Sequence, residues 1–206
     1  MGEIEYFYGP HSVFAYLGAR KLMEISQTSG RRIVHRPIDL GAVVGVHHPE
    51  LFAGRSKAHR SYYFGREIER WGEYRGMPLK GGIPANHASD TTLASCLLIA
   101  AADQPGGADA LALAMMTAHW RDHADLGDRD MLGGLMHGLA MDPDTLFAMA
   151  ATLEINAVLA ANTAEAIERS VFGSPTYVID GDMFYGQDRL ELVECAIAKP
   201  FARDWS

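Results

Sequence analysis

The chain has only two cysteines in 206 residues, Cys96 and Cys195, and no Cys-x-x-Cys pair. That excludes a disulfide framework and a dithiol redox centre. Both cysteines fall in apolar helical patterns and are expected as buried thiols. No apolar run approaches the roughly 20 residues of a membrane helix. The acidic start, Met1-Gly2-Glu3-Ile4-Glu5, lacks the basic and apolar regions of a secretory signal. The expectation is a cytoplasmic protein without a membrane partner. Lys and Arg number 18 against 26 Asp and Glu, a net charge of -8, and no basic stripe is present. A nucleic-acid surface is excluded on that ground, because phosphates need clustered cations. Internal repeats and low-complexity linkers are also absent. His119 and His123 have the i, i+4 spacing of a helical metal pair but lack the Glu of the zinc-protease helix. They are expected as a partly exposed pair, with no metal.

Hydrophobic residues make up 48% and charged residues 21%, an ordinary globular balance able to bury a core. Ile4 to Tyr8 is a β-type run broken at Gly9-Pro10-His11-Ser12. Phe14, Leu17, Leu22 and Ile25 recur at helical spacing to about Thr28, and Arg32 to Pro37 alternates as a second strand. From Asp39 to about Arg169 helical patterns dominate, at 56–75, 88–103, 107–122, 128–139, 143–150, 153–159 and 162–169. Breaks include Gly76-Met77-Pro78, Gly81-Gly82-Ile83-Pro84 and Pro105-Gly106-Gly107. Strands return at Thr176 to Ile179 and Met183 to Tyr185 around an Asp180-Gly181 turn, before a helix to about Ala198. The order is β-α-β, a helical insert, then β-β-α. It predicts an α/β thioredoxin-like fold with a mixed four-stranded sheet. Residues 1–39 and 170–206 would form that domain, and 40–169 an inserted all-helical domain.

Three segments carry chemistry. Ser12 stands where a strand gives way to a helix, so free backbone N–H groups and the positive helix end converge on it. It reads as an N-cap, or as a hydroxyl donor to a sulfur placed there. In Phe172-Gly173-Ser174-Pro175-Thr176, Pro175 opens a strand. It reads as an ordinary edge proline, or as a cis proline whose preceding Ser174 offers backbone groups to a bound peptide. Gln187 and Asp188 open the last helix. Asp188-x-x-Glu191 reads as a capping box, or Asp188 holds the ammonium of a free amino-acid head group such as the γ-glutamyl end of glutathione.

Together these segments give a wider likeness. Ser12-Val13-Phe14-Ala15-Tyr16-Leu17 resembles the Ser-Pro-Tyr-Ser-Tyr-Leu signature of the 2-hydroxychromene-2-carboxylate isomerases and kappa-class glutathione transferases. The Ser174-Pro175-Thr176 and Tyr185-Gly186-Gln187-Asp188-Arg189-Leu190 segments resemble their Val-Pro-Thr and Trp-Gly-Gln-Asp-Arg-Leu ending. Arg36-Pro37-Ile38-Asp39-Leu40, Ile83-Pro84-Ala85-Asn86 and Arg70-Trp71 also fit. The resemblance spans essentially the whole chain.

It implies a DsbA-like or kappa-class architecture, glutathione as cofactor, a small aromatic substrate of aromatic catabolism, and a homodimer. Carried over by position, Ser12 contacts the glutathione sulfur, Ser174 before Pro175 pairs with the cysteinyl backbone, and Gln187 and Asp188 hold the γ-glutamyl end. Arg60 and Tyr63 match a Lys-x-x-Tyr near the ligand, with Lys57 one turn earlier as a substitute. Asn86 matches an Asn near bound ligands, and His11 is a neighbour able to donate a proton near the sulfur. Three departures stand out: Val13 replaces the usual Pro, Arg60 replaces Lys, and an upstream Asn-x-Pro-Pro segment is missing, with His47-His48-Pro49 nearby. The implied activity is a glutathione-dependent isomerisation of a conjugated aromatic 2-oxo acid. A conjugating transferase and a non-catalytic binding protein on the same fold are the alternatives.

Overall fold

In the computed structural model, residues 2–47, 55–104 and 107–202 are described. His48, Pro49, Pro105 and Gly106 lie outside them. Strand β1 (Glu3–Tyr8) leads into helix α1 (Val13–Ser29), and β2 (Arg32–Pro37) follows. Gly30, with φ of 69°, takes the left-handed position that ends α1. The chain returns to the sheet at β3 (Thr176–Ile179) and β4 (Asp182–Tyr185). The strand order is β2-β1-β3-β4, with β1 parallel to β2 and antiparallel to β3. This is the mixed sheet expected. Asp180 and Gly181 both have positive φ, as a two-residue hairpin of primed type requires.

The connection between β2 and β3 is helical. It comprises α2 (Leu40–His47), α3 (Lys57–Ser61), a π-helical turn at Tyr62–Arg66, α4 (Glu67–Arg75), α5 (Thr92–Ala100), α6 (Gly107–Asp122), α7 (Arg129–Gly138), α8 (Pro143–Ala150) and α9 (Leu153–Glu168). A 3-10 turn at Gln187–Arg189 and α10 (Leu190–Ala198) close the chain. One hydrophobic cluster runs from Tyr6, Tyr16 and Leu17 into the insert through Leu97, Met115 and Met136. The sheet and the insert are thus packed on a shared interior. Arg36 and Arg169 both bind Glu5 and Glu165, which fastens the end of α9 to β1 and β2.

Several local expectations change. Helix α2 was not expected, because Gly41, Val43, Val44, Gly45 and Val46 are weak helix formers. It forms because Asp39 caps Ala42 N at 3.0 Å and Val43 is fully buried. The separate helices at 153–159 and 162–169 are one, α9, since Ala160 and Ala161 continue the helix and Asn162 donates outward to Pro37 O. Helix α5 starts at Thr92 rather than 88, because the Asp90 carboxylate takes the Thr92 N–H and hydroxyl in a turn. Cys195 is exposed rather than buried. Leu190, Val193 and Ala196 take the inward face of α10, and residue 195 falls on the other. No single helix among the described residues is long and apolar enough to cross a membrane.

Gly18 on α1 sits against the turn that carries Gln187. A Cβ there would lie 2.9 Å from Gln187 Cβ, 2.9 Å from Tyr177 Oη and 3.1 Å from Leu190 Cδ1. Gly18→Ala should therefore destabilise the fold by about 1–3 kcal/mol through overpacking. Urea unfolding should show a lower midpoint with unchanged slope.

Candidate active site

Ser12 is the N-cap of α1. Its Oγ accepts from Ala15 N at 3.3 Å, as the capping reading required. The same hydroxyl donates to Ser174 O at 3.3 Å, and Ser174 Oγ accepts from Gly9 N at 3.1 Å. Both serines are buried, and the Ser174–Pro175 peptide is cis. No acidic residue occupies the first turn of α1, so its positive end is not compensated. The result is a buried hydroxyl at a helix N-terminus, joined to a carbonyl 162 residues away in sequence.

Two unlike cavities meet at this point. The first, of about 410 Å³, is a largely apolar chamber. Val13, Phe14, Leu40, Phe64, Trp120 and Phe172 form much of its wall, and His11, Ser12, Arg55, Arg60 and His87 bring polarity. The second, of about 270 Å³, is a polar groove bordered by Glu67, Trp71, Gly186, Gln187, Asp188 and Arg189. Phe14, Tyr63, Ser174 and Tyr185 line both. The π turn brings Tyr63 and Phe64 against Phe14, with ring centroids 5.2 and 6.5 Å from it. Such turns recur at functional sites. Burial raises the pKa of the Tyr63 and Tyr185 phenols, so both stay protonated as donors.

Gln187 is buried in the groove and held by Arg75, whose Nε donates to Gln187 Oε1 and whose Nη2 donates to Gln187 O, each at 3.3 Å. Arg75 in turn pairs with Glu191 at 2.8 Å. Glu191 is therefore tied to Arg75, and Asp188 makes no capping bond, so the capping box does not form. The Asp188 carboxylate pairs through Oδ2 with Arg189. Its Oδ1 leans over Gly186, where a Cβ would lie only 2.5 Å away. Gly186 has φ of 101°, so glycine is needed there twice over.

Of the residues singled out from sequence, Ser12, Ser174, His11, Arg60 and Tyr63 line the chamber. Gln187 and Asp188 line the groove. Lys57 is exposed and borders neither cavity. Asn86 also borders neither, and its Nδ2 donates to His123 O at 3.2 Å. The residue after it, His87, does face the chamber. His119 is not part of an exposed pair but is buried at 1% exposure. His123 follows the end of α6 with φ of 60°, which takes it off the face His119 occupies. His47 bonds Ile167 O through Nε2 at 3.1 Å. Trp120 is both core and chamber wall, and its Nε1 donates to His11 O at 3.0 Å.

Three histidines stand in a row behind Ser12. The His11 and His87 rings are 5.2 Å apart, edge to face. The His87 and His119 rings stack at 5.3 Å, with His87 Nδ1 3.0 Å from His119 Nε2. Burial lowers all three pKa values, and it takes His87 down to about 4 with the help of its two neighbours. Sequence reading missed His87, Arg75 and Phe172. The only available signals were adjacency to Asn86 for His87 and to Gly173-Ser174 for Phe172.

Comparison with known proteins places these features in a family setting. Residues 3–198 match the family described as the DSBA-like thioredoxin domain. The chain is 26% identical to the 2-hydroxychromene-2-carboxylate isomerase of Sphingobium xenophagum, over 93% of this chain and 95% of that protein. It is 29% identical to the enzyme of the same name from Pseudomonas sp. (strain C18), over 94% and 89%. A solved structure of a 2-hydroxychromene-2-carboxylate isomerase superposes with a TM-score of 0.77 at 24% identity, covering 95% of this chain and 94% of that one.

Two outcomes follow from this geometry. Ser12→Ala removes the cap and should lower stability by about 1 kcal/mol; a thermal melt reads this directly. The histidine row should also make stability fall in mild acid. Unfolded imidazoles take up protons below about pH 6.5, while His87 in the fold stays neutral to about pH 4. The unfolded state binds more protons in that window, so stability drops as pH falls through it. Melting temperatures from pH 7 to pH 4 should show the decline, with a shallower slope for His87→Asn.

Proposed function

The chain belongs to the DsbA-like thioredoxin family, and on that premise we propose that it is a glutathione-dependent isomerase of a conjugated aromatic 2-oxo acid, similar in activity to the 2-hydroxychromene-2-carboxylate isomerases it resembles. The observation that carries the reading is the meeting of an apolar chamber and a polar groove at Ser174, beside the N-terminus of α1. A flat aromatic acid suits the chamber, and a short charged peptide suits the groove.

The donors and acceptors on the groove side fit glutathione. Asp188 Oδ1 is an anionic acceptor for the γ-glutamyl ammonium, and Gly186 leaves the space beside it open. Gln187 has its Oε1 engaged by Arg75, which leaves its amide N–H groups for the ligand carboxylate. The backbone of Ser174 lies between groove and chamber, where a cysteinyl residue would pass. When bound, glutathione supplies a thiolate that adds reversibly to the conjugated double bond, so that the bond rotates before it re-forms.

The chain's own residues do the rest. The positive end of α1, with no acidic residue in its first turn, favours an anionic sulfur. The Ser12 hydroxyl turns its hydrogen from Ser174 O to that sulfur, while its oxygen still caps Ala15 N. Arg60, at the chamber wall, takes the substrate carboxylate or the enolate oxygen that develops. Phe14, Phe64, Trp120 and Phe172 exclude water around the aromatic body.

Calorimetry with glutathione tests the groove. Binding to the wild type should be weakened roughly tenfold or more in Asp188→Ala, the loss of one charge-assisted hydrogen bond. A wild type that takes up no glutathione would sink the cofactor assignment. Isomerisation of 2-hydroxychromene-2-carboxylate should then require added glutathione.

A further inference from the structure

His87 is tied to the interior by a hydrogen bond whose direction can be worked out. His119 Nδ1 lies 3.0 Å from Ala124 O. A carbonyl oxygen only accepts, so His119 carries its proton on Nδ1. His119 is buried and its pKa is lowered, so the ring is neutral and Nε2 is bare. His87 Nδ1 stands 3.0 Å from that bare nitrogen and must be the donor. Neutral His87 then has its proton on Nδ1, and its Nε2 holds a free lone pair. The Nδ1 edge is occupied by His119, so the Nε2 edge is what the ring offers to the chamber it lines. Three rings hold this orientation: His119 stacked at 5.3 Å, Trp120 edge-on at 5.3 Å and His11 edge-on at 5.2 Å.

One other imidazole lines the chamber, His11, but no hydrogen bond fixes its tautomer as His119 fixes that of His87. No Asp or Glu is among the described residues that line it. Its charged groups, Arg55 and Arg60, are donors only. Ser12 Oγ is engaged by Ala15 N. A substrate hydroxyl entering this space meets many donors and two neutral imidazoles, of which His87 is the one whose accepting nitrogen is fixed by a hydrogen bond to its neighbour.

We propose that His87 Nε2 accepts a hydrogen bond from a hydroxyl of the aromatic substrate, and that His119 is the positioning residue that holds His87 in the accepting tautomer. The proposal rests on the reading of the chamber as an aromatic-acid site. It adds a selection: substrates bearing a hydroxyl on the ring or at a cyclic hemiketal carbon are preferred over analogues without one. A site built to pair with a hydroxyl rejects the analogue that lacks it, because its own polar group is left unpaired.

Nitrogen-15 NMR of the free protein at neutral pH tests the tautomer without any ligand. His87 should be protonated on Nδ1 and bare on Nε2, and His119→Phe should shift it toward the opposite tautomer. A wild-type His87 protonated on Nε2 overturns the proposal. Binding is then compared, by tryptophan fluorescence in the presence of glutathione, for trans-2-hydroxybenzylidenepyruvate and for benzylidenepyruvate lacking the hydroxyl. The wild type should prefer the hydroxylated acid by roughly tenfold or more. His87→Phe should erase the preference while still binding the plain acid, and so should His87→Asn, which retains a donor for His119. Equal binding of the two acids by the wild type overturns the role of His87 alone. Binding of neither would sink the aromatic-acid reading of the chamber, and this proposal with it.

Discussion

Two hydrogen bonds join the start of the chain to its last third, Ser12 Oγ to Ser174 O and Gly9 N to Ser174 Oγ. Each spans more than 160 residues, and both are buried and end on Ser174. They place the positive end of α1 beside the strand that follows Pro175. Every other part of the site is arranged around that juncture. The chamber opens on one side of Ser174 and the groove on the other. Were either bond lost, a buried hydroxyl or carbonyl would need a new partner, at a cost of about 1–3 kcal/mol.

Polarity is distributed around this juncture unevenly. On the groove side, Arg75 neutralises Glu191 and grips Gln187, and Arg189 shares Asp188. Glu67, which also borders the groove, pairs with Arg70, so each acid here has an arginine beside it, and Asp188 Oδ1 leans over Gly186. On the chamber side there is no carboxylate among the described lining residues, and the imidazoles are kept neutral by burial. An anionic substrate meets arginine at this wall, and no described lining residue is an anion. The two halves of the site therefore suit ligands of different kinds for electrostatic reasons as well as by shape.

The alternation of β1 and β2, the primed hairpin at Asp180-Gly181 and the break at Gly9 to Ser12 are local signals, and all were legible in the sequence. So was the mixed sheet, because two β-α-β and β-β-α segments leave few ways to pair four strands. The groove was legible for the same reason: Gln187 and Asp188 are adjacent, and the helix start that carries them is a local feature. What escaped was decided by tertiary contact. Helix α2 exists because Val43 finds a buried place, against its own propensity. Arg75 reaches Gln187 across 112 residues, and His87 meets His119 across 32. No spacing rule joins such residues. Cys195 and His119 changed sides for a related reason: a helical pattern tells which residues share a face, but the neighbours decide which face is covered.

The π-helical turn at Tyr62–Arg66 lies between α3 and α4. Beyond it, Gly72 packs closely on Leu79 and the Met77 carbonyl, where a Cβ would lie 2.7 and 3.1 Å from them. Arg60 before the turn, Tyr63 and Phe64 within it and Ile68 beyond it form chamber wall. A π turn contains one residue more than the α turn it stands for, and each residue advances the helix by about 100°. The wall and the packing face are thereby out of step by a fixed angle. Chain length at this turn becomes a variable of the chamber in its own right. Dropping or adding one residue re-aims Arg60 relative to Ile68 and Gly72. The chamber's shape is thus set in part by backbone count, and not by the choice of side chains alone.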